Sequence, residues 1–235
     1  MTESTPAAPT KAKQKVAVLH TSFVFVSTEP IINELIAEKL PDAEVLHFVD
    51  SDVLATVVRE GGISEHSTER MVHLAEAAES AGADIIFSAC SSLGPSLDEV
   101  AKRVSIPVVK IDEAMADAAA RGASKIGVLA TVPTTLGPTS ALIEAHAAAL
   151  GKSVEVTTRL ADGAFDVLTS GDRARHDDLV AAQAADLAGE VELIVLAQAS
   201  MNRLVDRLQA ETGLPVLSSP RMGVEYLAEQ AHRIA

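Results

Sequence analysis

The side chain with the most distinctive chemistry in this sequence is the thiol of Cys90, the only cysteine among 235 residues. Cys90 follows the apolar run DIIFSA (84–89) and begins the segment CSSLGP, in which Pro95 suits the first turn of a helix. The partly positive end of a helix favours a thiolate. We therefore expect Cys90 to be a reactive acid or base, the alternative being a buried and inert cysteine.

Small polar residues follow the other central apolar runs of the chain. Hydroxyl and backbone N–H groups that converge on one point could stabilise the enolate-like anion that forms when a proton or carbon dioxide leaves the carbon beside a carboxylate. Each of these residues could instead cap a helix or form a turn. The predicted substrate-binding set comprises Thr21, Ser22, Ser91, Ser92, Thr131, Thr134, Thr135, Gln198, Ala199 and Ser200.

His176, in the segment GDRARHDDL, is the predicted second base, because Asp177 or Asp178 could orient its ring. The alternative is a helix start at which the two aspartates interact with the helix dipole. The sequence has no HExxH or comparable ligand spacing, no Walker A sequence and no GxGxxG after a strand. It therefore predicts neither a metal site nor a nucleotide cofactor.

Eight short apolar runs alternate along the chain with longer segments of helical spacing. Continuous apolar runs are typical of strands buried on both faces, as in parallel sheets covered by helices. The pattern therefore predicts an α/β fold. The runs lie at 16–20, 44–49, 84–89, 107–111, 125–130, 154–158, 192–197 and 215–219, and the helical segments at 30–40, 67–81, 113–121, 139–150 and 177–188.

The two halves of the chain resemble each other. The segment DIIFSACSS (84–92) aligns with ELIVLAQAS (192–200) at a spacing of 108, which places Cys90 opposite Gln198, and VAVLHT aligns with IGVLAT at a spacing of 110. A duplication predicts two pseudosymmetric Rossmann-like halves, each a short, mostly parallel sheet flanked by helices, with the active site in the cleft between them. The predicted boundaries are a disordered tail at 1–15, a first half at 16–112 plus 220–235, and a second half at 113–219.

The composition limits the classes of partner. Asp plus Glu number 33 and Lys plus Arg 19, which gives a net charge of −14. An acidic surface repels phosphate backbones and anionic lipids, so we expect neither nucleic acid nor a membrane as a partner. A lone cysteine forms no internal disulfide, and no apolar stretch reaches the roughly 18 residues of a membrane span, which favours a cytoplasmic protein. With one tyrosine and no tryptophan, the substrate is expected to be small.

The duplicated halves and three segments, SACSSLGP, GVLATVPTT and VLAQASM, resemble the aspartate/glutamate/hydantoin racemase superfamily from about Lys15 to the end of the chain. In that superfamily two cysteines, one in each half, move the proton on a carbon beside a carboxylate or carbonyl group without cofactor or metal. The resemblance implies that Cys90 is the first of these. The second, in the motif GCAGM of hydantoin racemases, falls on Gln198.

The glutamine changes what the resemblance implies, because an amide does not titrate in the physiological range and can only donate or accept hydrogen bonds. We expect Gln198 to hold a carboxylate oxygen of the substrate. The resemblance then implies a cofactor-independent racemase or isomerase that uses one thiol on a small carboxylate. One alternative is a one-cysteine lyase or decarboxylase that passes through an enediolate, as in the arylmalonate decarboxylases of the same superfamily. A further alternative is a non-catalytic protein that binds a small carboxylate. Because family members are often dimers, the resemblance also implies a homodimer.

Overall fold

The computed structural model describes residues 13–235 apart from 24–25 and 27–29, so most of the predicted tail lies outside the described residues. The described chain forms two four-stranded parallel sheets flanked by helices. This confirms the predicted α/β class with two similar halves. The first sheet has the order β2-β1-β3-β4 and comprises β1 (Lys15–His20), β2 (Glu44–Val49), β3 (Ile85–Ser88) and β4 (Val108–Lys110); the second has the order β6-β5-β7-β8 and comprises β5 (Lys125–Ala130), β6 (Glu155–Leu160), β7 (Leu193–Leu196) and β8 (Val216–Ser218).

Helices connect each strand to the next and cover both faces of the sheets. Four short helices, the C-terminal helix and two 3₁₀-helices add to the five longer crossovers expected from the spacing of apolar residues. The helices are α1 (Ile31–Lys39), α2 (Val53–Glu60), α3 (Glu65–Ser80), α4 (Leu97–Arg103), α5 (Glu113–Gly122), α6 (Pro133–Ala149), α7 (Ala164–Thr169), α8 (Arg173–Leu187), α9 (Val205–Thr212) and α10 (Ser219–Ile234), with 3₁₀-helices at Ser91–Ser96 and Ala199–Leu204.

The spacing of equivalent elements follows the repeat seen in the sequence. Strands β3 and β7 begin at residues 85 and 193, and the two 3₁₀-helices begin at 91 and 199, in each case 108 apart. Strands β1 and β5 begin 110 apart, and the edge strands β2 and β6 begin 111 apart. The central strands are buried on both faces, which explains their continuous apolar runs, whereas β2 and β6 are only partly buried. Equivalent residues of the two halves therefore lie at equivalent strand ends.

The helix that follows the last strand of each sheet packs on the other sheet. Met115 and Ala119 of α5, which follows β4, belong to the apolar core of the second sheet. Val224 and Leu227 of α10, which follows β8, belong to the core of the first sheet. At Gly223, α10 passes so close to the backbone of Ile111 that a Cβ would lie 2.2 Å from its carbonyl oxygen. This exchange ties the two halves together beside the ends of β4 and β8.

Two predicted helices begin four or more residues earlier than the apolar spacing indicated. The helix expected at 139–150 starts at Pro133, because proline has no N–H to leave unpaired in a first turn. The helix expected at 177–188 starts at Arg173, where the carboxylate of Asp172 accepts the backbone N–H of Arg175. Thr134, Thr135 and His176 therefore lie in first turns of helices. No helix in the described part of the chain is both long and apolar enough to cross a membrane.

Candidate active site

A cleft lies between the two halves at the carboxyl ends of their strands. Its empty space, with the open solvent at its mouth included, is about 440 Å³. The cleft has the position expected for a ligand site in parallel α/β sheets. Both halves contribute residues, and six of the predicted site residues are brought together here. The lining comprises the predicted residues Cys90, Ser91, Ser92, Thr135, Gln198 and Ala199, together with Leu54, Ala89, Ile111, Val132, Phe165, Ala197 and Ser219.

Cys90 stands between β3 and the first 3₁₀-helix, with an extended backbone, and lines the cleft. Burial raises the pKa of the Cys90 thiol, whereas hydrogen bonds to the sulfur from the Thr21 hydroxyl and the backbone N–H groups of Leu93 and Ser92 lower it. The nearby carboxyl of Asp112 raises it further. The expected stabilisation of a thiolate by the helix end is therefore outweighed by desolvation, and the resting form is the protonated thiol.

Asp112, two residues after the end of β4, is the titratable neighbour of Cys90 that the sequence reasoning missed. Its side chain is only 2% exposed, and burial raises the pKa of its carboxyl even though the Ser91 hydroxyl donates a hydrogen bond to it. Its Oδ1 is buried and has no hydrogen-bond partner among the described residues. The position of Asp112 after the run PVVKI, like that of Cys90 after DIIFSA, is a signal for it, although the predicted substrate-binding set follows the central apolar runs alone.

Gln198 occupies the position in the second half that Cys90 occupies in the first. Its Oε1 accepts hydrogen bonds from Thr131 N at 2.5 Å, Thr131 Oγ1 at 3.1 Å and Val132 N at 3.2 Å. Because two of these groups are backbone N–H donors, the atom that faces them must be the amide oxygen. The Nε2 group is therefore the part of the side chain left to donate, and Gln198, which lines the cleft, provides no titratable base there.

A hydroxyl cluster joins the two halves across the cleft. Ser92 Oγ lies 2.9 Å from Thr135 Oγ1 and 3.4 Å from Thr134 Oγ1. Ser92 and Thr135 are 4% and 2% exposed, so the bond between them is shielded from water. Although all three were predicted to bind substrate, in this structure their hydroxyl groups bond to one another across the boundary between the halves.

The remaining predicted polar residues are not among those that line the cleft. Thr21 supports the sulfur of Cys90, and Thr131 supports the amide of Gln198. Ser200 is 2% exposed, and its Oγ is buried without a hydrogen-bond partner among the described residues. Ser22 is partly exposed. The substrate-contact roles of these four predicted residues stay predictions.

His176 does not line the cleft and is fully buried. Its Nδ1 lies 2.8 Å from Asp177 Oδ1 and 3.2 Å from Nη2 of Arg203. The orienting contact with Asp177 was expected, and the structure adds the guanidinium of Arg203. His176 as a second base stays a prediction, and in this structure its ring contributes to the packing of α8.

Two apolar residues at the cleft, Leu54 and Phe165, were not anticipated from the sequence. Leu54 is the second residue of α2 and Phe165 the second residue of α7, and the two are 111 apart, the spacing of β2 and β6. The extension of the repeat alignment to these helices would have found them. Within the described residues, no group of three or more His, Cys, Asp or Glu side chains is placed to hold a metal ion.

The model of the Asp/Glu/Hydantoin racemase family matches residues 26–227. The chain belongs to this family. It is accordingly an enzyme of the racemase and isomerase kind, and the resemblance drawn from SACSSLGP and VLAQASM is confirmed at the level of the family. No curated protein sequence matches the chain.

Solved structures of racemases share the fold at low sequence identity. A glutamate racemase isoform from Bacillus anthracis is 19% identical with a TM-score of 0.76, and the match covers 94% of this chain and 82% of that one. The aspartate racemase of Picrophilus torridus is 13% identical with a TM-score of 0.70, covering 93% and 94%. The allantoin racemase of Klebsiella pneumoniae is 18% identical with a TM-score of 0.64, covering 94% and 89%. These likenesses establish the fold of this racemase-family chain.

Proposed function

We propose that this racemase-family protein is a cofactor-independent isomerase in which Cys90 moves the proton on a carbon beside the carboxylate of a small molecule. The observation that carries the proposal is the position of Cys90 in the cleft between the halves, where its sulfur receives hydrogen bonds from Thr21 and from two backbone N–H groups. These donors stabilise the thiolate that remains after Cys90 has delivered its proton.

The proposed step moves one proton between sulfur and carbon. The resting thiol of Cys90 gives its S–H proton to the carbanion carbon of an enediolate, which forms a C–H bond and leaves the thiolate. In the reverse direction the thiolate removes the proton from carbon, and the electron pair of the broken C–H bond moves into the carboxylate as the enediolate. The raised pKa of the thiol favours the protonated state from which delivery begins. The Nε2 group of Gln198 is a suitable donor to a carboxylate oxygen of the substrate.

A second candidate is a one-cysteine lyase or decarboxylase, and the orientation of Gln198 favours it. The position of the second cysteine carries an amide whose oxygen is bound by Thr131 and Val132. The lining of the described cleft thus provides a single titratable group, the thiol of Cys90. In a decarboxylase, the loss of carbon dioxide would generate the enediolate in place of proton removal. Cys90 would then protonate the enediolate from one side.

Proton exchange in D₂O tests the proposal directly. We would follow the proton beside the carboxylate by NMR in a panel of 2-substituted carboxylates and malonates, with the wild-type protein and with Cys90→Ala. The expected result is exchange that is lost in Cys90→Ala. For an isomerase the configuration should scramble over many turnovers, because the planar enediolate must turn its other face to Cys90 before the proton returns. Release of carbon dioxide with deuterium at a single configuration would select the lyase.

Ser96→Ala is the matched control, because Ser96 lies in the same 3₁₀-helix as the residues after Cys90, is 2% exposed and does not line the cleft. Exchange should persist in this variant. Exchange that continues in Cys90→Ala would remove the thiol from the mechanism. If the protein binds a carboxylate without exchanging its proton, and Cys90→Ser binds it equally well, then the protein binds a small carboxylate without turnover.

A further inference from the structure

The described lining of the cleft is uncharged. Of the residues that form it, none is Asp, Glu, Lys, Arg or His. A carboxylate bound there would be held by neutral donors, such as the amide of Gln198 and the hydroxyl of Ser219, whose Oγ has no hydrogen-bond partner among the described residues. Neutral donors can hold one carboxylate, but they leave a second one without a compensating cation.

The arginines of the second 3₁₀-helix and of α10, two elements that begin at the cleft, are already engaged. Arg203, in the second 3₁₀-helix, donates from Nη2 to Asp177 Oδ1 at 2.6 Å and from Nη1 to the carbonyl oxygen of Ser200. Arg221, in α10, donates to the carboxylate of Glu38 at 3.1 and 3.4 Å. Neither guanidinium is therefore left to neutralise a second carboxylate on a substrate.

Leu54 and Phe165 supply apolar surface at equivalent positions of the two halves. Each is partly exposed and lines the cleft from the start of a short helix, α2 or α7. An apolar substituent placed against them would lose contact with water, which contributes roughly 25 cal/mol for each Å² buried. A charged substituent in the same place would lose its hydration with no ion pair in return.

From these observations, and resting on the proposed function, we infer that the cleft selects a monoanionic carboxylate whose other substituent is uncharged and apolar and lies against Leu54 and Phe165. The amide of Gln198 and the hydroxyl of Ser219 hold the single carboxylate. This substrate class differs from aspartate and glutamate, the dicarboxylic amino acids after which two of the structurally similar racemases are named.

Binding measurements test the inference separately from turnover. We would measure dissociation constants by ligand-observed NMR for two matched pairs, 2-methylpentanoate against 2-methylsuccinate and 2-methylhexanoate against 2-methylglutarate, which differ by an ethyl group in place of the second carboxylate. The monoanion of each pair should bind about tenfold tighter or more, equivalent to about 1.4 kcal/mol. Equal or tighter binding of the dicarboxylates, or no binding of either monoanion, would overturn the inference.

A charge placed at the apolar surface gives a second, independent readout. Leu54→Lys should weaken binding of the monoanion and strengthen that of the matched dicarboxylate, so that the preference falls or reverses. Val58→Lys is the matched control, because it adds the same charge to the same helix at a side chain that is 44% exposed and does not line the cleft. An equal effect of both variants would show that the net charge of the protein, and not the cleft, sets the preference.

The outcomes for the two proposals are distinguishable. If monoanions bind preferentially but their protons do not exchange, then the proposed proton chemistry fails and the inference on substrate class stands. If dicarboxylates exchange their protons in a manner that depends on Cys90, then the proposed function stands and the inference fails.

Discussion

Replacement of Gly223 by alanine should destabilise the protein and slow its chemistry together. A Cβ at this position would lie 2.2 Å from the carbonyl oxygen of Ile111, 2.9 Å from its carbonyl carbon and 3.0 Å from its Cα. All three are backbone atoms, so no side-chain rotation relieves the contact. Because nonbonded carbon and oxygen atoms need more than about 3 Å, α10 must withdraw by about 1 Å, which loosens the packing of Val224 and Leu227, both fully buried. Overpacking of this kind costs about 1–3 kcal/mol.

The assay is thermal and urea unfolding beside proton exchange. A loss of about 2 kcal/mol lowers the Tm of a chain of this length by about 4–8 °C. Exchange should also slow, because Ile111 lines the cleft and Asp112 follows it. Gly122→Ala is the matched control: it lies in α5, and its Cβ would meet only the Leu193 side chain at 3.6 Å, so it should be neutral or slightly stabilising. Unchanged stability of Gly223→Ala would refute the close approach of α10 to the end of β4.

Three further variants probe electrostatics and the joint between the halves. Asp112→Asn should lower the pKa of Cys90, since it removes a carboxyl that raises it, and should shift the pH profile of Cys90 alkylation by iodoacetamide to lower pH; an unchanged profile would contradict the coupling. Burial and then His47 lower the pKa of His20 to about 4, so the unfolded chain takes up this proton first as the pH falls. The free energy of unfolding should therefore have its full value above about pH 6.5 and fall by up to about 3 kcal/mol by about pH 4, and urea titrations of His20→Gln should lack this fall. A fall that persists in His20→Gln would show that His20 does not cause it. Ser92→Ala should lower the free energy of unfolding by about 1–3 kcal/mol, because the buried Thr135 hydroxyl loses its partner. An unfolding midpoint at the same urea concentration as the wild type would contradict this.

The sequence predicts the fold of this protein well because its signals are local. Each central strand is a continuous apolar run, and the repeat aligns the strands without knowledge of their pairing. Cys90 and Gln198 could be placed at equivalent strand ends for the same reason. The geometry of their side chains could not be predicted, because it depends on Thr21 and Thr131, which are distant along the chain and approach only when β1 pairs with β3 and β5 with β7.

Charge and solvation at the site depend on burial, which a linear pattern does not report. The helix end beside Cys90 predicts a lowered pKa, whereas desolvation in the folded cleft raises it. Ser92 and Thr135 have the residue types of substrate-binding groups, yet in the fold they lie across the cleft from each other and share a hydrogen bond. His176 has a neighbouring carboxylate, as a catalytic histidine would, but the register of α8 turns it into the core.

The chemistry of the cleft is asymmetric although its scaffold is a duplication, and this asymmetry predicts the stereochemical course of the reaction. The first half places Cys90 and the carboxyl of Asp112 beside each other, whereas the equivalent positions of the second half, 108 residues further on, are Gln198 and Pro220. Protons can therefore be exchanged with carbon from the first half, while the second half supplies hydrogen-bond donors. In D₂O, deuterium should be delivered initially to one face of the enediolate, and quenched single-turnover samples analysed on a chiral column should show one labelled configuration. Equal initial labelling of both configurations would require a proton donor on the opposite face and would contradict this prediction. Gln198→Ala removes the amide but adds no acid, so it should leave the labelled configuration unchanged.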